Sequence, residues 1–474
     1  MLFPKIDFAI FFFAVFVGHW LLNPFPRRWK LFMVAASYLF YAWWDWHFVW
    51  LLPASTVIVQ LGALAVARER DERRKRWILG TAVAADLALL AWFKYYGFLA
   101  INVANALHSL SVTSPLPLLQ LTLPVGISFF TFMGLSYLVD VYRGEIPTSG
   151  WLDFFVYLSF FPHLVAGPIV RAPELLPQIR TRRDPRRIDV GRAFTLIWSG
   201  LFKKVVLSSY LAAAIVDPVF GNPKGHTSLE ILFAVYAYAV QIYADFSGYT
   251  DIAIGVALLL GFHFPENFDA PYTARSIQDF WRRWHITLSR WLRDYLYIPL
   301  GGSRKGEYRT YANIMITMLL GGIWHGAAWT FVAWGGIHGA GQVVGHRRRK
   351  QRLERGLPAL EEGAWATFRQ RVATFHVVCL GWVFFRADSF GTAAQLLWRM
   401  VTAFGSAPAV HLLVVVAIAL GIYVQYVPRN VFDRVGVSVS RLGPIALGAS
   451  LAGGLFLITT LGPQGVAPFI YYRF

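Results

Sequence analysis

The chain has 474 residues, 56% of them hydrophobic and only 15% charged, and a formal net charge of +18. A water-soluble domain needs far more charge on its surface, so this composition excludes an ordinary soluble enzyme. The positive excess sits mainly in short segments between long apolar runs, where the cytoplasmic bias of lysine and arginine accounts for it; nucleic-acid binding is not expected.

The apolar runs approach about 20 residues, the length a bilayer demands of a helix. The first, 6–22, follows a stretch with only Lys5 as a basic residue, and no small-residue cleavage site comes after Ile10–Val17. It reads as a retained span and not as a cleaved signal. Further spans are predicted over 30–45, 47–66, 77–100, 120–141, 192–216, 229–262, 372–386, 409–427 and 444–461. Basic segments lie at Arg27, Arg28 and Lys30, and over 68–76, 171–192, 275–309, 346–371 and 429–441, whereas 101–119, 217–228 and 387–408 are poor in lysine and arginine. With the basic segments in the cytoplasm, both termini fall on the outer face.

That alternation requires 151–170 and 310–345 each to enter and leave on one side, or to hold paired short helices. Both contain helix interrupters: Pro162, Gly167 and Pro168 in the first, and Gly321, Gly322, Gly326, Gly335 and Gly336 in the second. Broken helices at membrane depth survive only where protein or a water-filled cavity surrounds them, so both regions are expected to line something. No internal repeat or low-complexity linker interrupts the chain. The expected fold is all-α: one polytopic membrane domain over 1–474, with about 10–12 transmembrane helices plus re-entrant or interfacial ones and a core at about 120–345.

Residues 279–300 have the pattern of an amphipathic helix at the cytoplasmic interface. At 100° per residue, Arg282, Arg283, Arg290 and Arg293 share one sector, and Trp281, Trp284, His285 and Leu288 occupy the remaining arc. The arginine face suits anionic lipid headgroups or a phosphate-rich ligand such as coenzyme A, because guanidinium pairs bidentately with phosphate.

His325 lies in the middle of the apolar stretch 314–346, in the sequence Gly-Ile-Trp-His-Gly. An ionisable group there is costly and marks a functional site, although a histidine that only holds a kink accounts for it almost as well. Imidazole suits acyl transfer, since it takes a proton near neutral pH from a hydroxyl attacking a thioester. His285 is the candidate second polar group, to orient His325 or to stabilise developing charge. His338 reads as structural. The chain has no HExxH and no carboxylate cluster near the histidines, and its lone Cys379 excludes an intrachain disulfide and a cysteine metal site; no metal is expected. Gln241, Asp245, Ser247 and Asp251 lie in apolar surroundings, where hydrogen bonding between helices is a commoner use than lining a passage.

Two stretches, WRRWHITLSRWLRDYLYIPLGGSRKG and GGIWHGAAWTFVAWGGIHG, resemble the membrane-bound O-acyltransferase family, MBOAT. The closest likeness is to its bacterial branch, which holds the membrane subunits of alginate O-acetylation and of D-alanine export. LPVGISFFTFMGLSYLVDVYRG, FFPHLVAGPIVRAPELLPQI, QIYADFSGYTDIAIGVALLLGFHFPENF and the terminal FIYYRF agree with it. The resemblance implies a ring of tilted helices around a funnel or tunnel, His325 as the catalytic histidine and His285 as its second characteristic position. It also implies acetyl-CoA as the donor substrate, with no resident cofactor, and delivery of acetyl across the bacterial inner membrane. The acceptor would be a periplasmic SGNH-type or esterase-like protein acting on an exopolysaccharide. Trp281, Trp284, Trp324, Gln241, Asp245 and the four arginines are the further candidates for holding the donor or lining the tunnel. Two alternatives are D-alanyl transfer from a carrier protein toward teichoic acid, and a transporter or flippase. The latter predicts inverted repeats, which the sequence lacks.

Overall fold

The computed structural model describes residues 3–111, 117, 119 and 121–461; the FIYYRF ending lies outside the described residues. Among these, all regular structure is helical. Each predicted span falls on a helix, from Ile6–Leu22 and Pro26–Ala42 to Leu412–Tyr423 and Pro444–Leu461. Four helices among the described residues are long and apolar enough to cross a membrane: Trp46–Arg68, Glu72–Ser109, Val190–Gly221 and Ser228–Leu259. The protein is a multi-pass membrane protein. Its chain divides into two compact units, one of residues up to Ala193 with Ala253–Pro265, the other of Phe194–Ile252 with the chain from Glu266 onward.

In the first unit, the region 151–170 holds the paired short helices that the charge alternation requires. Trp151–Ser159 ends at Phe160, and the single turn Phe161–Leu164 follows with Pro162 in its first positions. The amide of Phe161, orphaned by the break, donates to Ser37 Oγ at 3.2 Å. A Cβ on Gly167 would lie 2.5 Å from His163 Cα, so only glycine lets the chain fold back this closely.

In the second unit, 310–345 is likewise a helix pair, Glu307–His325 and Trp329–Glu354, joined by a turn at Gly326–Ala328. Gly326 breaks the helix as expected, whereas Gly322 and Gly335, also expected to interrupt it, lie inside helices and bring two backbones together. A Cβ on Gly322 would lie 2.3 Å from the Phe331 carbonyl oxygen, and one on Gly335 would lie 2.4 Å from that of Met318. Small residues at such a crossing are the usual means of close helix packing in lipid. Gly335→Val should therefore cost about 2–3 kcal/mol or more, as overpacking does. Gly336→Ala, whose added methyl meets only ordinary contact at 3.9 Å, should leave thermal unfolding in detergent unchanged.

The second unit also contains a lock between Val190–Gly221 and Ser228–Leu259, in which Asp245 and Asp251 make the bonding between helices that their apolar surroundings led us to expect. The helices meet at Gly200 and Gly248, where a Cβ on Gly200 would come 2.5 Å from the Gly248 carbonyl oxygen. Beside that crossing Lys204 pairs with Asp245, both buried, and Lys203 pairs with Asp251. Both lysines lie in the π-helical stretch Phe202–Ser208. Asp245, a tunnel-lining candidate, thus bonds to a neighbouring helix, and Ser208 Oγ lies 3.5 Å from its Oδ1. Gln241, on the same helix, is buried.

Candidate active site

All of this site lies within the second unit. His325 is the last residue of Glu307–His325 and is 3% exposed. Its ring lies 4.9 Å from Trp324, 4.9 Å from Trp334 and 5.3 Å from Phe385, centroid to centroid. Three aromatic faces therefore keep bulk water from the imidazole and fix its plane. Gly326, which follows, is extended, so the helix ends at the histidine.

His285 does not sit on a continuous amphipathic helix. The expected helix over 279–300 is three pieces: Ile277–Arg283, Ile286–Leu292 and a π-helical turn Arg293–Tyr297. His285 occupies the break, fully buried, with a left-handed backbone at φ +41°. The break leaves amides without helical acceptors, and Asn267 supplies them. Its carbonyl oxygen accepts from the Ile286 amide at 2.9 Å. Its Oδ1 accepts from the Thr287 amide at 3.2 Å and the Thr287 hydroxyl at 2.9 Å. The same Oδ1 lies 3.2 Å from His285 Nδ1.

These contacts assign the imidazole tautomer. An oxygen that accepts from Thr287 can only accept from His285 too, so Nδ1 carries the proton and Nε2 is the basic nitrogen of the neutral ring. His285 in that form takes a proton and does not donate one from Nε2. Asn267 is the residue holding the candidate site that sequence reasoning missed. Asn267→Ala should lower kcat roughly 10- to 100-fold, by analogy with the loss of a hydrogen-bond partner that orients a metal-bound histidine; KM for the acyl donor should change little, which steady-state kinetics will read.

Trp324 links the two histidines. Its ring lies 4.9 Å from His325 on one side and 6.3 Å from His285 on another. Phe246 closes the far side of His285, edge to face at 4.7 Å. His338 belongs to the packing, as expected: it is buried against Phe280, Trp281 and Trp334 and accepts from Trp281 Nε1 at 3.3 Å.

A cavity of about 540 Å³ opens between the broken helix and the helix pair. Its apolar wall includes Trp281, Ile286, Leu292 and Met318, and its cationic residues are Arg282, Arg290, Arg293 and Arg349. Arg282 is exposed and has no ion-pair partner among the described residues. The break also redistributes the predicted arginine face. Arg283 leaves it to pair with Asp279 at 2.9 Å and Asp269 at 3.8 Å. Trp284 is buried against Phe268, Phe280 and Trp382, away from the cavity lining. Met318 precedes His325 by two helical turns, about 10 Å of rise.

Two enclosed histidines on either side of Trp324, and a cavity carrying Arg282, Arg290 and Arg293, thus lie in one unit of a multi-pass membrane protein. The model of the MBOAT, membrane-bound O-acyltransferase family, matches residues 38–346, and the chain belongs to that family. It is an acyltransferase. It is 40% identical over 410 residues to the probable alginate O-acetylase of Azotobacter vinelandii, covering 85% of this chain and 78% of that one. Against the peptidoglycan O-acetyltransferase of Helicobacter pylori the identity is 38% over 425 residues, with 81% and 77% covered. The teichoic acid D-alanyltransferase of Streptococcus thermophilus is more distant, at 29% over 308 residues, with 59% and 74% covered.

Proposed function

We propose that this protein transfers an acetyl group from cytoplasmic acetyl-CoA, through the bacterial inner membrane, toward O-acetylation of an exported polysaccharide. The observation that carries this reading is the pairing of two enclosed histidines across Trp324 with an arginine-rich cavity two helical turns away. Guanidinium groups suit the phosphates of coenzyme A, and the apolar wall suits its pantetheine arm. Relatives named as O-acetylases at 38–40% identity favour acetyl over D-alanyl.

In the reaction, the acceptor hydroxyl oxygen attacks the thioester carbonyl carbon as His325 takes the hydroxyl proton. The tetrahedral intermediate collapses, the carbon–sulfur bond breaks, and the thiolate leaves with the proton that the imidazolium returns. His285, held by Asn267, fixes Trp324 against His325 and offers Nε2 as a second proton acceptor. The acceptor in this reading is a periplasmic SGNH-type or esterase-like protein that passes the acetyl group to the polymer.

Purified protein reconstituted in vesicles and given labelled acetyl-CoA should release coenzyme A and yield labelled ester or acetate. Turnover with a D-alanyl carrier protein and none with acetyl-CoA would replace this donor with the other. Within the proposal, Arg282→Gln and Arg290→Gln should each raise KM for acetyl-CoA about tenfold, the worth of one charge-assisted hydrogen bond. Initial rates should show kcat nearly unchanged, since the phosphates are remote from the bond that breaks.

A further inference from the structure

Arg183 lies in the loop after the helix Ala172–Arg180, in the first unit. Its guanidinium carbon is 3.8 Å from the centroid of Trp29 and 4.5 Å from that of Phe262, two rings within 23° of parallel. Asn23 Nδ2 donates to the Arg183 carbonyl at 2.9 Å and fixes the loop. The cation is thus held by ring faces, which attract it but accept no strong hydrogen bonds. Nε and Nη1 are buried with no hydrogen-bond partner, and no carboxylate pairs with this guanidinium, among the described residues. Burial brings its pKa down to about 10, so the charge persists at neutral pH. Nη2 is not among the enclosed atoms and is the edge left to meet a ligand.

Two cavities, of about 370 and 460 Å³, share Arg182, Arg183 and Asp184 in their walls. Their carboxylates are already engaged. Asp184 accepts from the Arg186 amide at 3.0 Å and faces Arg187 at 3.7 Å, and Asp189 accepts from the Arg192 amide at 2.9 Å. Arg182 is exposed and has no ion-pair partner among the described residues. Trp20, near the end of the apolar helix Ile6–Leu22, lines the larger cavity. Tryptophan at a span's end is typical of the headgroup level of a bilayer.

We propose that Arg182 and Arg183 form a binding site for a phosphate oxyanion, offered by an anionic phospholipid headgroup or by free phosphate. The exposed fork of Arg182 and the Nη2 edge of Arg183 together match its oxygens, and the unpaired charge that the ring faces hold at Arg183 favours an anion there.

The test is the heat-unfolding midpoint of full-length protein in neutral detergent, titrated separately with inorganic phosphate and with short-chain phosphatidylglycerol. A saturable rise with both assigns the site to the phosphate group itself; a rise with the lipid alone assigns it to the lipid headgroup. Arg182→Gln should weaken the apparent affinity about tenfold, the loss of one charge-assisted pair. Arg183→Lys keeps a charge at this position but removes Nη2, and should weaken it similarly. No rise with either ligand in the wild type, or the same titration in both variants, overturns the proposal.

Discussion

His325→Ala should reduce acyl transfer about 1,000-fold or more, within the range for losing a positioned general base. The variant should still fold. His325 ends its helix and packs by ring contacts, while the pairing of Glu307–His325 with Trp329–Glu354 rests on the glycine crossings at Gly322 and Gly335. Equal unfolding midpoints for the variant and the wild type will separate a catalytic loss from a structural one. His325→Gln retains hydrogen-bonding capacity but not a basic nitrogen, so it should be as inactive as the alanine variant. Activity in His325→Gln near that of wild type would reduce the histidine to a hydrogen-bonding prop.

Lys204→Met should destabilise the protein by about 3–5 kcal/mol, because it leaves the Asp245 carboxylate buried without its counter-charge. Both members of the pair are at most 3% exposed, so water cannot compensate. The double substitution Lys204→Met, Asp245→Leu removes both charges and should recover most of that loss. The comparison is read from unfolding midpoints in detergent. The lock also bears on the site, since Asp245 precedes Phe246, whose ring closes one side of His285. Loosening the lock should therefore lower activity even below the unfolding transition.

The helices were legible because their signal is local: apolar runs of bilayer length, ended by basic residues or by glycine and proline. His325 was legible for the same reason, as an ionisable group in an apolar run between glycines. What escaped the sequence depends on partners far along the chain. The segment from Asp279 to Leu300 has a helical period throughout, and nothing within it signals a break at His285. The break is held by acceptors from Asn267, 18 residues upstream, in a stretch without periodicity. The single arginine face failed with it, since turning the chain at His285 sends Arg283 to Asp269 and Asp279 and leaves Arg282, Arg290 and Arg293 on the cavity. The Lys204–Asp245 pair joins residues 41 apart, and neither residue identifies the other in a linear reading. Gly322 and Gly335 were read as interrupters because glycine breaks helices in water; within a membrane helix pair the same residue permits contact.

The most direct test measures ester-linked acetate on the exported polysaccharide of cells lacking this protein, complemented with wild type or with His325→Ala at equal membrane abundance. Wild type should restore acetylation, and the variant should leave it at the level of the deletion. Restoration by the variant would contradict the assignment of His325 as the base that moves the acetyl group.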